Sequence, residues 1–226
     1  MKKIIFGIFA HPDDEAFGPA ATLLHETKNG TELHLICLTP GDAGMNTDNH
    51  GDLAAVRLEE WRNAGELIGA TGMHQLGYRD GMLCNNNYFE IIDRITEIVD
   101  NVIGDQVDIE IELMSMDLNG ITGHIDHIVA SRVAAYIYHQ QKQLGRPMSR
   151  LLLACIPRSE MPESNTHWLY MDAGRDEKMC QKYSYPELHD EVLGIMHAHY
   201  TQRSDGETHI KNRGDQLTTN YFMTLD

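Results

Sequence analysis

At 226 residues and 42% hydrophobic content, the chain is long enough for one sizeable α/β domain and short for two. Eighteen Lys and Arg against 34 Asp and Glu give a net charge of −16, which repels nucleic acid and anionic membrane surfaces over most of the molecule and favours a small substrate. No apolar run is long enough to span a bilayer, and Met1-Lys2-Lys3 leads into a strand rather than a signal sequence, so a cytoplasmic protein without a membrane partner is expected.

The run Ile4-Ile5-Phe6-Gly7-Ile8 predicts a first strand. Phe9-Ala10-His11-Pro12-Asp13-Asp14-Glu15 follows it, so His11, Asp13 and Asp14 stand at the carboxyl end of a buried strand, where open α/β sheets place their chemistry. Imidazole and carboxylate are ligands for a Zn²⁺-like ion, and adjacent side chains diverge, so one Asp can hold metal while the other faces substrate. The same residues also suit a helix-capping corner. Ala20 to Lys28 is expected to be helical, with Pro19 at its start and Gly30 at its stop, and Leu33 to Leu38 to be a second strand parallel to the first.

The loop from Pro40 to Gly51 is long and rich in Gly, Asn and Asp, as functional or disordered loops are. Asp52 then caps a helix to about Ile68 whose apolar face carries Leu53, Val56, Trp61, Ala64, Leu67 and Ile68. On this helix Arg57 and Glu60 have the spacing of a solvated ion pair. Met73 to Tyr78 reads as a weak third strand with a turn at Asp80-Gly81, and Tyr88 to Ile103 as a helix burying a broad isoleucine face. Asp108 to Met114 alternates acidic and apolar residues, which predicts a strand with one wet face near a sheet edge.

A second polar cluster, Thr122-Gly123-His124-Ile125-Asp126-His127, opens a helical stretch from Ile128 to Gln143. Leu151 to Ile156 is expected as the final buried strand, ended by Pro157. Arg158 to Pro186, with Trp168 to Met171 apolar, has no period and reads as an irregular segment that covers the site or meets another subunit; Pro186 to His199 reads as a helix. Residues 203–226 are assigned to one 1–226 domain as a tail without a readable role. Cys37, Cys84, Cys155 and Cys180 show neither disulfide nor thiolate-zinc spacing and read as free thiols.

The two clusters together resemble the LmbE-like, or PIG-L-type, family of metal-dependent N-deacetylases. The resemblance extends through Thr39 to Gly44, Arg57-Leu58-Glu59-Glu60, Leu76 to Gly81 and, more briefly, His199-Tyr200-Thr201-Gln202, covering roughly the first 135 residues best. Ile125 stands where the family usually has Pro, which is expected to loosen the loop before the helix. The resemblance implies an α/β, Rossmann-like single domain, with a mostly parallel sheet and helices on both faces, and one Zn²⁺ per chain, or Fe²⁺, held by His11, Asp14 and His127. It implies Asp13 as general base, and an N-acetylglucosamine-type amide as substrate with Arg57 and Asp80 holding its hydroxyls or aglycone. His124 is expected to stabilise the oxyanion or protonate the amine, kept charged by Asp126. The partner expected is this small N-acetylated sugar, and a homo-oligomer is compatible with it. A receiver-like Mg²⁺-binding signalling domain built on Asp13, Asp14 and Asp80 and an inactive zinc-binding relative are the alternatives.

Overall fold

In the first strand, β1 (Lys2–Phe9), apolar residues face both ways. Ile4, Phe6 and Ile8 enter one core and Ile5 and Phe9 the other. A strand covered on both faces needs such an unbroken apolar run. The computed structural model describes residues 1–161 and 174–226. Helix α1 (Asp14–Phe17) is a single turn after β1, and α2 (Ala20–Lys28) leads to β2 (Glu32–Cys37); α3 (Leu53–Ile68) leads to β3 (Gly72–Gln75). Then follow α4 (Tyr88–Ile103), β4 (Ile109–Met116), α5 (Ile125–Gln143) and β5 (Met148–Ala154). These five strands are parallel in the order β3-β2-β1-β4-β5. Helices α4 and α5 cover the Ile4-Phe6-Ile8 face, whereas α2, α3 and the later α6 (His189–Ala198) cover the other.

The strand order reverses between β1 and β4, and the crevice outside their carboxyl ends is where such sheets bind ligands. A receiver-like domain would have the order 2-1-3-4-5, so the topology overturns that alternative.

The order continues past β5. A short pair, β6 (Ile156–Pro157) with β7 (Gly174–Arg175), precedes β8 (Gln181–Ser184). After α6, helix α7 (Arg203–Arg213) runs to β9 (Thr219–Leu225), which pairs antiparallel with both β5 and β8. The strand at Leu151 is therefore not the last of the sheet, and residues 203–226 are tied into it.

Four further expectations change. Strand β4 is central rather than near an edge: its Glu112 is buried, with its carboxylate 2.7 Å from Arg150 Nε and 3.1 Å from Lys3 Nζ, so that ion pairs rather than water satisfy the acidic alternation. The third strand is only Gly72–Gln75. Helix α5 begins at Ile125 because His124 Nδ1 accepts the amide of Asp126, and this cap holds the helix start without a proline. Leu67 points to solvent. The expected apolar stretch Trp168 to Met171 lies outside the described residues. Among the described residues no helix is long and apolar enough to cross a membrane.

Candidate metal centre

The corner after β1 is built around the carboxylate of Asp14, whose Oδ2 accepts the backbone amides of Ala10 and His11, each at 3.0 Å. His11 is thereby turned toward the corner after β4, where Gly120, at φ 75, places its carbonyl 3.1 Å from His127 Nδ1. The two corners meet. His11 Nδ1 lies 3.0 Å from His127 Nε2, Asp14 Oδ1 lies 3.2 Å from His127 Nε2, and Asp14 Oδ2 lies 3.9 Å from His11 Nδ1. All three side chains are nearly buried.

The partners fix the tautomers. His127 uses Nδ1–H toward the Gly120 carbonyl, and His11 Nε2 sits 3.0 Å from Asp80 Oδ1 and 3.4 Å from Asp126 Oδ2. In the neutral rings each inward nitrogen carries a lone pair, and the two would face one another beside a carboxylate. A divalent cation resolves this repulsion, and the donor set of two imidazoles and one carboxylate suits Zn²⁺ or Fe²⁺. The charges agree. Although burial lowers it, the carboxylates of Asp126, Asp80 and Asp14 push His11 up to about 10. Against the cost of burial, His127 and His11 hold Asp14 well below the usual carboxylate range. This cluster concentrates negative charge that calls for a cation.

Asp13 does not join the three. Its backbone is at φ 115, ψ −23, a strained conformation for a residue with a Cβ. Arg57 holds its carboxylate at 2.9 Å and also donates to the carbonyls of Pro12 and Gly41, each at 2.6 Å. Gly41, at φ 70, is required there: a Cβ would stand 2.5 Å from the guanidinium. Burial pushes Asp13 up to about 6, opposed by Arg57 and reinforced by Asp14.

Arg57 is thus a buried support of Asp13 and not half of an ion pair with Glu60, whose carboxylate instead accepts the amide and hydroxyl of Thr201 at 2.9 and 2.6 Å. Asp80 accepts the amide of Ala43 at 2.9 Å and faces His11.

Asp126 also departs from expectation. Its oxygens accept the amides of Gly81 and Leu83 at 2.7 and 3.0 Å, so it fixes the loop carrying Asp80 rather than holding a proton on His124. His124 is lowered by partial burial and by the neighbouring His11 and His127, and so is neutral near pH 7. With Nδ1 accepting the Asp126 amide, its remaining proton is on Nε2.

Glu15 and His199 carry a support that the sequence motifs contain without revealing it. Glu15 is fully buried; its Oε2 accepts the amide of Asp13 at 3.2 Å and its Oε1 meets His199 Nε2 at 2.7 Å. The last residue of the first motif and the first of the late His-x-Thr-Gln element are therefore partners. Gln202 lines the cavity above the three clustered residues; His199 stands behind Asp13. The cavity, about 1130 Å³, continues from His11 and Asp13 along Phe17 and Met116 to Arg213 and Tyr221. Of its far wall, no site residue was expected from the sequence.

Comparison with known proteins places residues 6–138 within the family model PIG-L, described as GlcNAc-PI de-N-acetylase. A 1D-myo-inositol 2-acetamido-2-deoxy-alpha-D-glucopyranoside deacetylase of Salinispora arenicola is 29% identical over 180 residues, 71% of this chain and 58% of that protein. The chain thus spans less than two thirds of that relative. A probable N-acetyl-alpha-D-glucosaminyl L-malate deacetylase 2 of Bacillus cereus is 28% identical over the whole chain and 96% of its own length. The N,N'-diacetylchitobiose deacetylase of Pyrococcus horikoshii has the same fold (TM-score 0.69, 19% identity, 99% of this chain and 84% of that one). So does a 4-carboxy-2-hydroxymuconate hydratase of Pseudomonas putida (TM-score 0.72, 15% identity, 100% and 97%), so the fold alone does not decide the reaction.

Proposed function

Because the chain belongs to the PIG-L family, we propose that it is a metal-dependent hydrolase that removes the acetyl group from an N-acetylglucosamine-type amide. The observation that carries this reading is the convergence of His11, Asp14 and His127 from two distant corners, with the carboxylate of Asp13 held apart from them beside Arg57. These three residues would hold one Zn²⁺, or Fe²⁺, which when bound supplies Lewis-acid polarisation of water and of the amide carbonyl.

The remaining work belongs to the chain. Asp13 takes a proton from the attacking water as its oxygen bonds to the acetyl carbon, and delivers it to the departing nitrogen as the C–N bond breaks. Desolvation raises its basicity, while the Arg57 contact fixes where the carboxylate points. His124 donates from Nε2 to the oxygen that gains charge, and acts as a neutral donor. Asp80 and Asp126 orient His11 and the loop at 81–83, and Asp80 is also the nearest acceptor for a sugar hydroxyl. The test is metal content together with release of primary amine from N-acetylated sugars. Asp13→Ala keeps the metal and loses turnover, whereas His127→Ala loses both. An Asp13→Ala variant with near-normal turnover would remove the base assignment.

A further inference from the structure

At the edge of the sheet, outside the cavity, two imidazoles converge on one point. His34 on β2 pairs in register with Gly72 on β3, and Ile36 with His74, so the rings of His34 and His74 share one face of the two strands. His34 is buried with its ring on that of Phe6 at 5.3 Å, and His74 is half-buried on the edge strand. Neither lines the cavity.

The nitrogens are oriented from behind. His34 Nε2 stands 2.9 Å from Glu32 Oε1, so its proton is on Nε2 and its lone pair on Nδ1. Burial raises the Glu32 carboxyl, but Lys2 and His34 outweigh this and hold it below its ordinary range, so a carboxylate backs the imidazole and strengthens it as a ligand. His34 Nδ1 lies 3.2 Å from His74 Nε2, with the two rings 28° apart in tilt. Burial and the neighbouring His34 lower His74, which is therefore neutral near pH 7. Without metal, His74 Nε2–H donates to His34 Nδ1. Moving that proton to the other nitrogen of the His74 ring frees a second inward lone pair without changing the charge.

Two features of the gap fit a metal ion. An ion about 2.0–2.1 Å from each nitrogen would subtend roughly 100° across the 3.2 Å separation, between the square-planar and tetrahedral angles. Gly72 is the second feature. Its φ is not positive, so its backbone does not call for glycine, yet a Cβ there would collide with His34 Nδ1 and stand 3.0 Å from His74 Nε2. The missing side chain keeps open the space on which both nitrogens border.

We propose that His34 and His74, with Glu32 behind His34, form a second metal site that takes Cu²⁺ and staples the edge strand β3 to β2. Imidazole donors with open positions for water suit Cu²⁺, which stands highest in the affinity order of the divalent series. Zn²⁺ stands lower and finds three donors, one a carboxylate, at His11, Asp14 and His127. At zinc levels that fill that cluster the pair on β2 and β3 therefore stays empty. The staple is independent of the deacetylase reading.

The experiment titrates Cu²⁺ into the His127→Ala protein, in which the other cluster lacks a donor, and into the same protein carrying His74→Gln, by equilibrium dialysis and by thermal unfolding. The first is expected to bind one more Cu²⁺ than the second, and its melting temperature is expected to rise with Cu²⁺ where that of the second does not, because the ion binds the folded strand pair. In the otherwise unmodified chain, His74→Gln is likewise expected to remove one Cu²⁺. Glu32→Gln keeps both imidazoles and is expected to weaken the site by about 10–100-fold at unchanged stoichiometry, which decides the matter even where His74→Gln fails to fold. Equal Cu²⁺ uptake with and without His74, or an affinity unmoved by Glu32→Gln, overturns the site.

Discussion

Asp13 offers a test in which backbone strain and side-chain chemistry separate. Its φ of 115 costs on the order of 1–3 kcal/mol for a residue with a Cβ. Alanine keeps that cost; glycine removes it but gives back about 0.5–1 kcal/mol of chain entropy. Both substitutions delete the carboxylate and leave Arg57 its two carbonyl acceptors at 2.6 Å, so these losses cancel between the variants. Asp13→Gly is therefore expected to be more stable than Asp13→Ala by about 0.5–2 kcal/mol, a Tm difference of roughly 1–8 °C at this chain length. Amine release is expected to fall about 10²–10⁴-fold in both, because the base is missing from both. Thermal unfolding by circular dichroism on the two variants side by side reads the first quantity, and a fluorescent amine assay the second. Equal melting temperatures would refute the strain, and unequal turnover would mean that the backbone, and not the carboxylate, limits the reaction.

Three further outcomes follow from the same geometry. Zinc at a hundredfold excess over its dissociation constant is expected to stabilise the protein by about 2.7 kcal/mol, and to leave the melting of His127→Ala unmoved; scanning calorimetry with and without chelator checks it. Thr201→Val removes the hydroxyl donor 2.6 Å from buried Glu60 and is expected to cost about 1–3 kcal/mol in urea unfolding, whereas a silent variant would mean that water replaces the hydroxyl. His209 has a folded value near 4 against 6.5 in the unfolded chain, so between these pH values the unfolded state binds the extra proton. Stability is thus intact above pH 6.5 and falls as the pH drops toward 4, by about 1–3 kcal/mol after discounting for the side chain's partial exposure. His209→Gln should flatten that slope in urea melts at pH 7.5 and 4.5, and parallel slopes for the two proteins would count against it.

Where the sequence carried its own local signal, structure and expectation coincide. The isoleucine spacing of Tyr88–Ile103 marks a helix buried along one face, and the two-sided apolar run of β1 marks a covered parallel strand. What stayed hidden is non-local. Glu112 looks wet in a period-2 pattern, and only Lys3 and Arg150 on neighbouring strands make its burial tolerable. Arg57 and Glu60 have ion-pair spacing, yet each turns to a partner more than 40 positions away. Strand β9 shows only Tyr221-Phe222-Met223 as an apolar run after a polar approach, and becomes a strand because β5 and β8 leave it a slot. The first motif displayed His11, Asp13 and Asp14, but the division of labour between the two aspartates lies in φ, ψ and the amides of Ala10 and His11, which no spacing encodes.

The residues around the proposed cation come from positions 11–14 and 127, whereas much of the outer wall comes from positions 205–221. Three buried pairs tie residues 15–60 to residues 199–220: Glu15 with His199, Glu60 with Thr201, and Thr22 with Asn220 at 2.8 Å. A chimera that exchanges the distal block while preserving those pairings would keep the corners at 11–15 and 127 under a foreign roof. Substitutions on the roof's inner surface that spare these pairs therefore leave the corners at 11–15 and 127 tied in place.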